Sequence, residues 1–177
     1  MITTERLIIR PLEDDDYIRV YECCNDYDVV RMTLAMPWPY TEECAKSWIA
    51  STLENFKNGK SYEFGICLKD KPKSVVGCVS LVLGKGDAKK AELGYWVDKK
   101  LWGNGIATEA TKALINYGFN DLGLNSIFAR HYDINPASGR VMTKVGMRYV
   151  GRMRQHECRF GEYHDVEYYD LLNTDIR

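Results

Sequence analysis

Apolar and polar residues alternate with two different periods along the chain, and the switch between them predicts an α/β protein. Apolar residues at every second position predict strands over Thr4–Leu12, Tyr62–Leu68, Val75–Leu83 and Ala91–Asp98. Short polar turns rich in Gly, Lys and Asp separate the last three. These three strands are therefore expected to form an antiparallel meander.

Two helices are predicted between the first strand and the meander. Asp14-Asp15-Asp16 gives the first helix an acidic start, and its apolar stripe runs from Tyr17 to Cys24 with helical spacing. The second helix opens at Thr41 and closes at Asn58-Gly59. Pro37-Trp38-Pro39-Tyr40 forms a rigid loop between them.

The second half of the chain continues with a helix over Gly105–Phe119 and a strand over Ser126–Tyr132. Bulky residues at nearly every position of that strand indicate burial on both faces, and so a central place in the sheet. Asn135 and Pro136 begin a helix that Gly146 ends. Two last strands are predicted within 147–172, around a turn at Phe160-Gly161-Glu162.

Length and charge limit the classes of protein that this order of elements can serve. The chain has 177 residues, which predicts a single domain over 1–177. Its 24 basic and 25 acidic side chains nearly cancel, which argues against nucleic-acid binding. Apolar runs fall short of the ~20 residues that span a bilayer. The N-terminal sequence lacks the pattern of a signal peptide, so we expect a cytoplasmic protein without a membrane partner.

The cysteines and histidines give no sign of a metal site. Six cysteines form no C-x-x-C pair, and three histidines have no ligand spacing among themselves or with cysteine. We therefore expect reduced, mostly structural thiols and no bound metal.

A glycine-rich turn joins the strand Ala91–Asp98 to the helix that starts at Gly105. Glycines let a ligand approach the backbone closely, and a helix N-terminus carries about half a positive charge, so the turn suits a phosphate or pyrophosphate. Neither the P-loop nor the Rossmann pattern fits: no Lys-Ser or Lys-Thr follows the turn, and three strands and two helices precede the strand that leads into it, whereas a Rossmann fingerprint belongs to the first βα turn. On spacing alone, an ordinary strand-to-helix turn is an equally good interpretation.

The sequence of this turn resembles a known motif. Lys100-Leu101-Trp102-Gly103-Asn104-Gly105 is similar to the Q/R-x-x-G-x-G/A pyrophosphate motif of GNAT acetyltransferases, with Lys100 departing from Gln or Arg. The next residues, Ile106-Ala107-Thr108-Glu109-Ala110, resemble the form that this motif takes in the branch of the ribosomal-protein N-terminal alanine acetyltransferases. The segment Asn135–Met147 resembles the second block of that branch, and Arg154–Tyr169 resembles its closing hairpin.

This resemblance implies a fold, a cosubstrate and a set of binding residues. The implied fold is a mixed, mostly antiparallel sheet of about seven strands, with helices on both faces and a gap between two splayed central parallel strands. Acetyl-CoA would lie in that gap, where an amine attacks the thioester directly in a ternary complex. The residues implied to bind acetyl-CoA are Tyr95, Trp96, Val97, Lys100, Trp102, Gly103, Asn104, Gly105, Ile106, Ala107, Thr108, Asn135 and Ser138.

The resemblance also suggests residues for the chemistry and the acceptor. Glu92 shares a strand face with Gly94 and Trp96 and is the candidate base, with a partly exposed strand carboxylate as the alternative. Trp38 and Tyr40 are candidate walls of the acceptor site, or else a hydrophobic plug. Some relatives place a proton-donating Tyr where this chain has Met142. A thiolate is a fair leaving group without one, since its reference pKa is about 8.5.

The sequence is compatible with three functions. An N-terminal α-amine, with a pKa of about 8, asks less of a base than a lysine or polyamine nitrogen near 10.4, and the branch resemblance favours it. A small-molecule amine acetyltransferase is the first alternative. An acyl-CoA-binding sensor without turnover is the second. An exposed edge in the last hairpin could also support a homodimer.

Overall fold

A computed structural model describes residues 1–86 and 88–176 of the chain. The strands of the described residues are β1 Ile2–Thr3, β2 Leu7–Pro11, β3 Ser61–Leu68, β4 Val75–Leu83, β5 Lys90–Val97, β6 Ser126–Tyr132, β7 Arg148–Arg159 and β8 Glu162–Leu172. The α-helices are α1 Tyr17–Cys24, α2 Tyr27–Arg31, α3 Glu42–Lys57, α4 Ile106–Asn120 and α5 Pro136–Lys144. None of these helices is long and apolar enough to cross a membrane.

All strands lie in one sheet, in the order β1-β2-β3-β4-β5-β6-β8-β7. Only β5 and β6 run parallel, and the other neighbours are antiparallel. The mixed, mostly antiparallel sheet with two central parallel strands is therefore confirmed, as is the central position of β6.

The N-terminal segment differs from the single strand expected over Thr4–Leu12. The backbone N–H and the hydroxyl of Thr4 both bond to the Leu7 carbonyl, at 3.0 and 3.4 Å, and this turn folds β1 back onto β2. Ile2 then lies opposite Ile9, which raises the strand count to eight. The five-residue helix α2 was also not expected, because a single turn is too short to show a period; the side chain of Asp26 caps it.

Helices cover both faces of the sheet, as expected. One face packs against α4, through residues such as Leu81, Leu93 and Ile127. The opposite face packs against α1 and α3, where Val20 and Ile49 lie in a second apolar cluster. Because side chains alternate along a strand, each strand of the sheet's centre sends one set of residues to each cluster.

Candidate active site

The two parallel strands separate after a short paired segment. β5 and β6 pair from Lys90–Ser126 to Glu92–Phe128 only. Beyond that point β5 continues through Leu93–Val97 and β6 through Ala129–Tyr132, outside the ladder between them. A gap therefore opens in the middle of the sheet, and each wall presents strand backbone that can bond an extended ligand.

A turn of left-handed backbone lies at the open end of this gap. In the glycine turn, which we define as Trp102–Gly105, Gly103 and Gly105 have φ values of 79° and 77°. Residues other than glycine rarely adopt this backbone conformation. Gly105 is also the N-cap of α4, so the helix dipole points at the turn.

The side chains around the glycine turn hold its backbone in place. Trp102 Nε1 donates to the Val97 carbonyl at 2.8 Å, and Asn104 Nδ2 donates to the Leu101 carbonyl at 3.2 Å. Arg6 reaches from the start of the chain and donates to the Asn104 carbonyl at 2.9 Å. Backbone groups, rather than the side chains of Trp102 and Asn104, are thus what the turn offers to a ligand.

The charges near the turn are arranged around the helix N-terminus. Glu109, in the first turn of α4, forms an ion pair with Arg6 at 2.7 Å and accepts a bond from the Thr4 hydroxyl at 2.6 Å. Burial opposes its charge, but these hydrogen bonds lower the pKa of Glu109 below its usual value. The positive charge of Arg6 therefore offsets the negative charge of Glu109, the one acidic side chain in the first turn of α4. Lys100 is exposed, whereas Lys99 bonds to an aspartate of α2.

Helix α5 borders the gap on the other side. Asn135 caps it by accepting from the Ser138 N–H at 3.2 Å, and its Nδ2 donates to the Met32 carbonyl at 3.3 Å. Gly139 lets the helix lie close to the sheet, since a Cβ there would come within 2.7 Å of His131 Nε2. The predicted cap is therefore present, and Asn135 also fixes the segment that follows α2.

Tyr95 crosses from β5 to α5. Its hydroxyl lies 2.8 Å from Ser138 Oγ and donates to the Ser138 carbonyl at 3.0 Å. Burial raises the pKa of this phenol, so it stays neutral at ordinary pH. The contact joins the two walls of the gap directly.

The face of the sheet opposite α4 carries charged residues at the edge of the gap, and we call it the carboxylate face. Ala91 and Ala129 point into the α4 core, so their neighbours Glu92 and Arg130 point the other way. Arg130 Nε donates to Glu92 Oε1 at 2.8 Å, and its Nη1 donates to Glu157 Oε1 at 2.7 Å. Burial opposes the charge of Arg130, yet the bonds to both carboxylates raise its pKa.

Sequence reasoning identified Glu92 but not its two partners. Arg130 lies in a strand whose bulky side chains indicated only burial. Glu157 reaches the face because β7 contains a bulge, in which Arg154, Gln155 and His156 lie opposite a single residue of β8. A strand pattern does not reveal such a shift of register.

The two candidate acceptor walls have different environments. Tyr40 is 5% exposed and packs in the apolar cluster of α1 and α3, which fits the plug interpretation for this residue. Trp38 is 41% exposed and packs edge-on against Tyr27, with ring centroids 5.2 Å apart. Phe160, in the β7–β8 turn, lies on the same ring of Tyr27 at 5.8 Å. Trp38 thus lies at the surface beside the last hairpin.

Two further features bear on the chemistry. Met142, at the position where some relatives have a proton donor, is 1% exposed and belongs to the core. Within residues 1–86 and 88–176, no group of three or more His, Cys, Asp or Glu side chains is arranged to hold a metal ion. The groups that border the gap are therefore backbone, hydroxyls and an arginine-bridged pair of carboxylates.

Comparison with known proteins agrees with this geometry. The family described as acetyltransferase (GNAT) domain matches residues 6–148. The uncharacterized N-acetyltransferase YnaD of Bacillus subtilis is 31% identical over 174 residues, which cover 98% of each chain. The chain therefore belongs to the GNAT acetyltransferase family. It is an N-acetyltransferase.

Two other proteins are similar to the chain over nearly its whole length. The alanine N-acetyltransferase of ribosomal protein uS5 from Escherichia coli is 27% identical over 172 residues, covering 93% of this chain and 86% of that one. The solved structure of RimL, a ribosomal L7/L12 α-N-protein acetyltransferase in complex with coenzyme A, has a TM-score of 0.85. At 20% identity over 96% of this chain and 95% of that one, the RimL likeness shows the fold.

Proposed function

We propose that this enzyme transfers the acetyl group of acetyl-CoA to the free α-amino group at the N-terminus of a protein. The observation that carries this proposal is the bridge from Glu92 through Arg130 to Glu157. Glu92 and Glu157 each have an oxygen bonded to the same guanidinium, that of Arg130. Their charge is thus already partly compensated, which suits an acceptor that needs little help to lose its proton.

The α-amine is the protein amine that best meets this condition. Its pKa of about 8 leaves an appreciable neutral fraction near pH 7, whereas a lysine or polyamine nitrogen near 10.4 is almost fully protonated. The similarity to an alanine N-acetyltransferase of a ribosomal protein supports the same class of acceptor. In this proposal Glu92 accepts the remaining proton, directly or through one water.

The residues around the gap fit acetyl-CoA as the cosubstrate. The left-handed backbone of Gly103 and Gly105, together with the α4 N-terminus, suits a pyrophosphate. Acetyl-CoA supplies an acyl thioester. The N–H groups of Tyr95–Val97 would bond the pantetheine arm and stabilise negative charge on the thioester oxygen. Coenzyme A in the RimL structure supports this assignment.

The departing thiolate leaves without a dedicated acid in this mechanism. Met142 is apolar and buried, so it cannot donate a proton. The C–S bond breaks to release a thiolate, and since the pKa of a thiol is about 8.5, this group leaves without full protonation in the transition state. The remaining work of the protein is to hold the amine and the thioester together, which alone can contribute several powers of ten in rate.

The deciding experiment compares acceptors under single-turnover conditions. Enzyme and acetyl-CoA are mixed with one of three acceptors. These are short peptides with free N-termini, peptides with a blocked N-terminus and an internal lysine, and polyamines. Release of free CoA thiol is the readout. We expect release only with free N-termini. Release with polyamines alone would replace this proposal by a small-molecule acetyltransferase, and binding of acetyl-CoA without release by any amine would indicate a sensor.

A further inference from the structure

Glu63 is a half-buried carboxylate of β3 that lies on the carboxylate face. Its neighbour Phe64 belongs to the apolar core under α4, so side-chain alternation turns Glu63 to the opposite face of the sheet. The Ser61 hydroxyl donates to both carboxylate oxygens of Glu63, at 3.0 and 2.8 Å. The carboxylate is therefore held beside Ser61, at the start of β3.

Ser61, Val82 and Glu92 form one row across three neighbouring strands. Val82 of β4 pairs with Ser61 on one side and with Glu92 on the other. Side chains directly opposite each other on paired strands have Cβ atoms about 5 Å apart, so Glu92 lies about 10 Å from Ser61 and from the carboxylate that Ser61 binds. Val82 is 47% exposed. The surface between the two glutamates is therefore open to a ligand.

The two glutamates differ in their access to a cation. Glu92 is paired with Arg130 at 2.8 Å. Among residues 1–86 and 88–176, no ion pair includes Glu63. Burial raises the pKa of Glu63, and the bond from Ser61 opposes this rise only in part. A cation beside Glu63 would stabilise its charged form.

The bond with Ser61 does not by itself call for a charged residue. A glutamine would accept the same bond without the cost of burying an anion that has no cation. The charge at Glu63 thus points to a cation that arrives with the acceptor, about 10 Å from Glu92. Consecutive Cα atoms of a peptide are about 3.8 Å apart, so a long basic side chain on the second or third residue reaches this distance from the α-amine.

We propose that Glu63 binds a basic side chain at the second or third residue of the acceptor, while the N-terminal amine lies at Glu92. This inference rests on the proposed function and narrows its substrate class to protein N-termini with lysine or arginine soon after the first residue. The exposed side chain of Val82 would contact the methylene groups of the basic side chain.

The test compares Glu63→Gln with the wild-type enzyme on three short peptides. One begins with three alanines, and the others carry arginine at position 2 or at position 3. We expect the wild type to favour at least one arginine peptide, and we expect the variant to reduce this preference in kcat/KM roughly three- to tenfold. The value for the alanine peptide should change less than about twofold. Added salt should weaken the wild-type preference, because it screens partly exposed charges.

Glu54→Gln is the matched control, because it removes an exposed carboxylate of α3. It should leave the preference for arginine unchanged. The thermal midpoint of Glu63→Gln at neutral pH should equal or exceed that of the wild type, since the variant keeps the bond with Ser61 and loses a charge without a cation.

Three results would overturn the inference. A wild-type enzyme without a preference for arginine, or a preference that survives in Glu63→Gln, would show that Glu63 does not bind the acceptor's side chain. An equal loss on all three peptides together with a lowered thermal midpoint would show that Glu63 stabilises the fold instead. Peptide acetylation without a preference removes only the Glu63 subsite, whereas turnover of polyamines and of no peptide would contradict the proposed function as well.

Discussion

The glycine turn and the carboxylate face border the same gap but use different parts of the polypeptide. In the turn, side chains such as Trp102 and Asn104 bond to the local backbone, and the backbone is left to meet the ligand. On the carboxylate face, side chains from three strands meet each other, with Arg130 between Glu92 and Glu157. The turn depends on local conformation, whereas the face depends on long-range register. Substitutions in the two regions should therefore impair different properties of the enzyme, acetyl-CoA binding at the turn and turnover at the carboxylate face.

Glu92→Gln should produce the largest effect. The variant keeps the size of the side chain but removes the proposed base, so turnover at neutral pH should fall by roughly 10²-fold or more. The loss should shrink as the pH approaches the acceptor's own pKa, near about 8 for an α-amine, because solvent then removes the proton. Steady-state rates between pH 6 and 9 provide the measurement.

Glu54→Gln is the control for this substitution, because Glu54 is an exposed carboxylate of α3. It should leave the pH profile unchanged. A Glu92→Gln enzyme with the wild-type rate at neutral pH would mean that Glu92 serves only the ion pair with Arg130.

Gly105→Val should act on the turn instead, and through binding. A β-branched residue at φ 77° costs roughly 1–3 kcal/mol, so acetyl-CoA affinity should weaken by about tenfold or more as the turn changes conformation. Titration calorimetry gives the affinity, and a thermal scan shows whether the domain remains folded.

Gly151→Val makes a useful comparison for Gly105→Val. A Cβ at Gly151 meets no atom within 4 Å, and no left-handed backbone is required there. This variant should bind acetyl-CoA like the wild type. Unchanged affinity in a folded Gly105→Val variant would show that the turn is not the pyrophosphate site.

Tyr95→Phe should give the smallest effect, and it tests the contact between the two walls of the gap that both regions border. Loss of the contact with Ser138 should lower the free energy of unfolding by about 0.5–1.5 kcal/mol. Urea titration at pH 7 measures this change. A variant as stable as the wild type would mean that the bridge across the gap contributes nothing to the fold.

The same variant has a distinct pH dependence. Burial raises the pKa of Tyr95 above its ordinary value of 10.0, so the neutral phenol stabilises the folded state fully below pH 10 and less as the pH rises further. The stability of Tyr95→Phe should therefore decline less steeply above pH 10 than that of the wild type. Parallel curves would argue against a buried phenol.

The difference between the two regions also explains what could be predicted from the sequence. Gly103, Gly105 and Asn135 were identified because a turn or a cap needs those residue types locally, and each adopts the expected conformation. The bridge from Glu92 through Arg130 to Glu157 could not be predicted, because it depends on the β7 bulge and on the order of β6, β8 and β7. The bond between Tyr95 and Ser138 is likewise a result of tertiary packing.

Arg6 ties the glycine turn to the N-terminal segment of the chain. It bonds to the Asn104 carbonyl and to Glu109, and Thr4 holds the same carboxylate. A purification tag or cleavage remnant fused to the N-terminus would begin only a few residues from these contacts of Thr4 and Arg6. Kinetic and binding work is therefore better done with a C-terminal tag, and an N-terminal one should be removed before affinities for acetyl-CoA are compared.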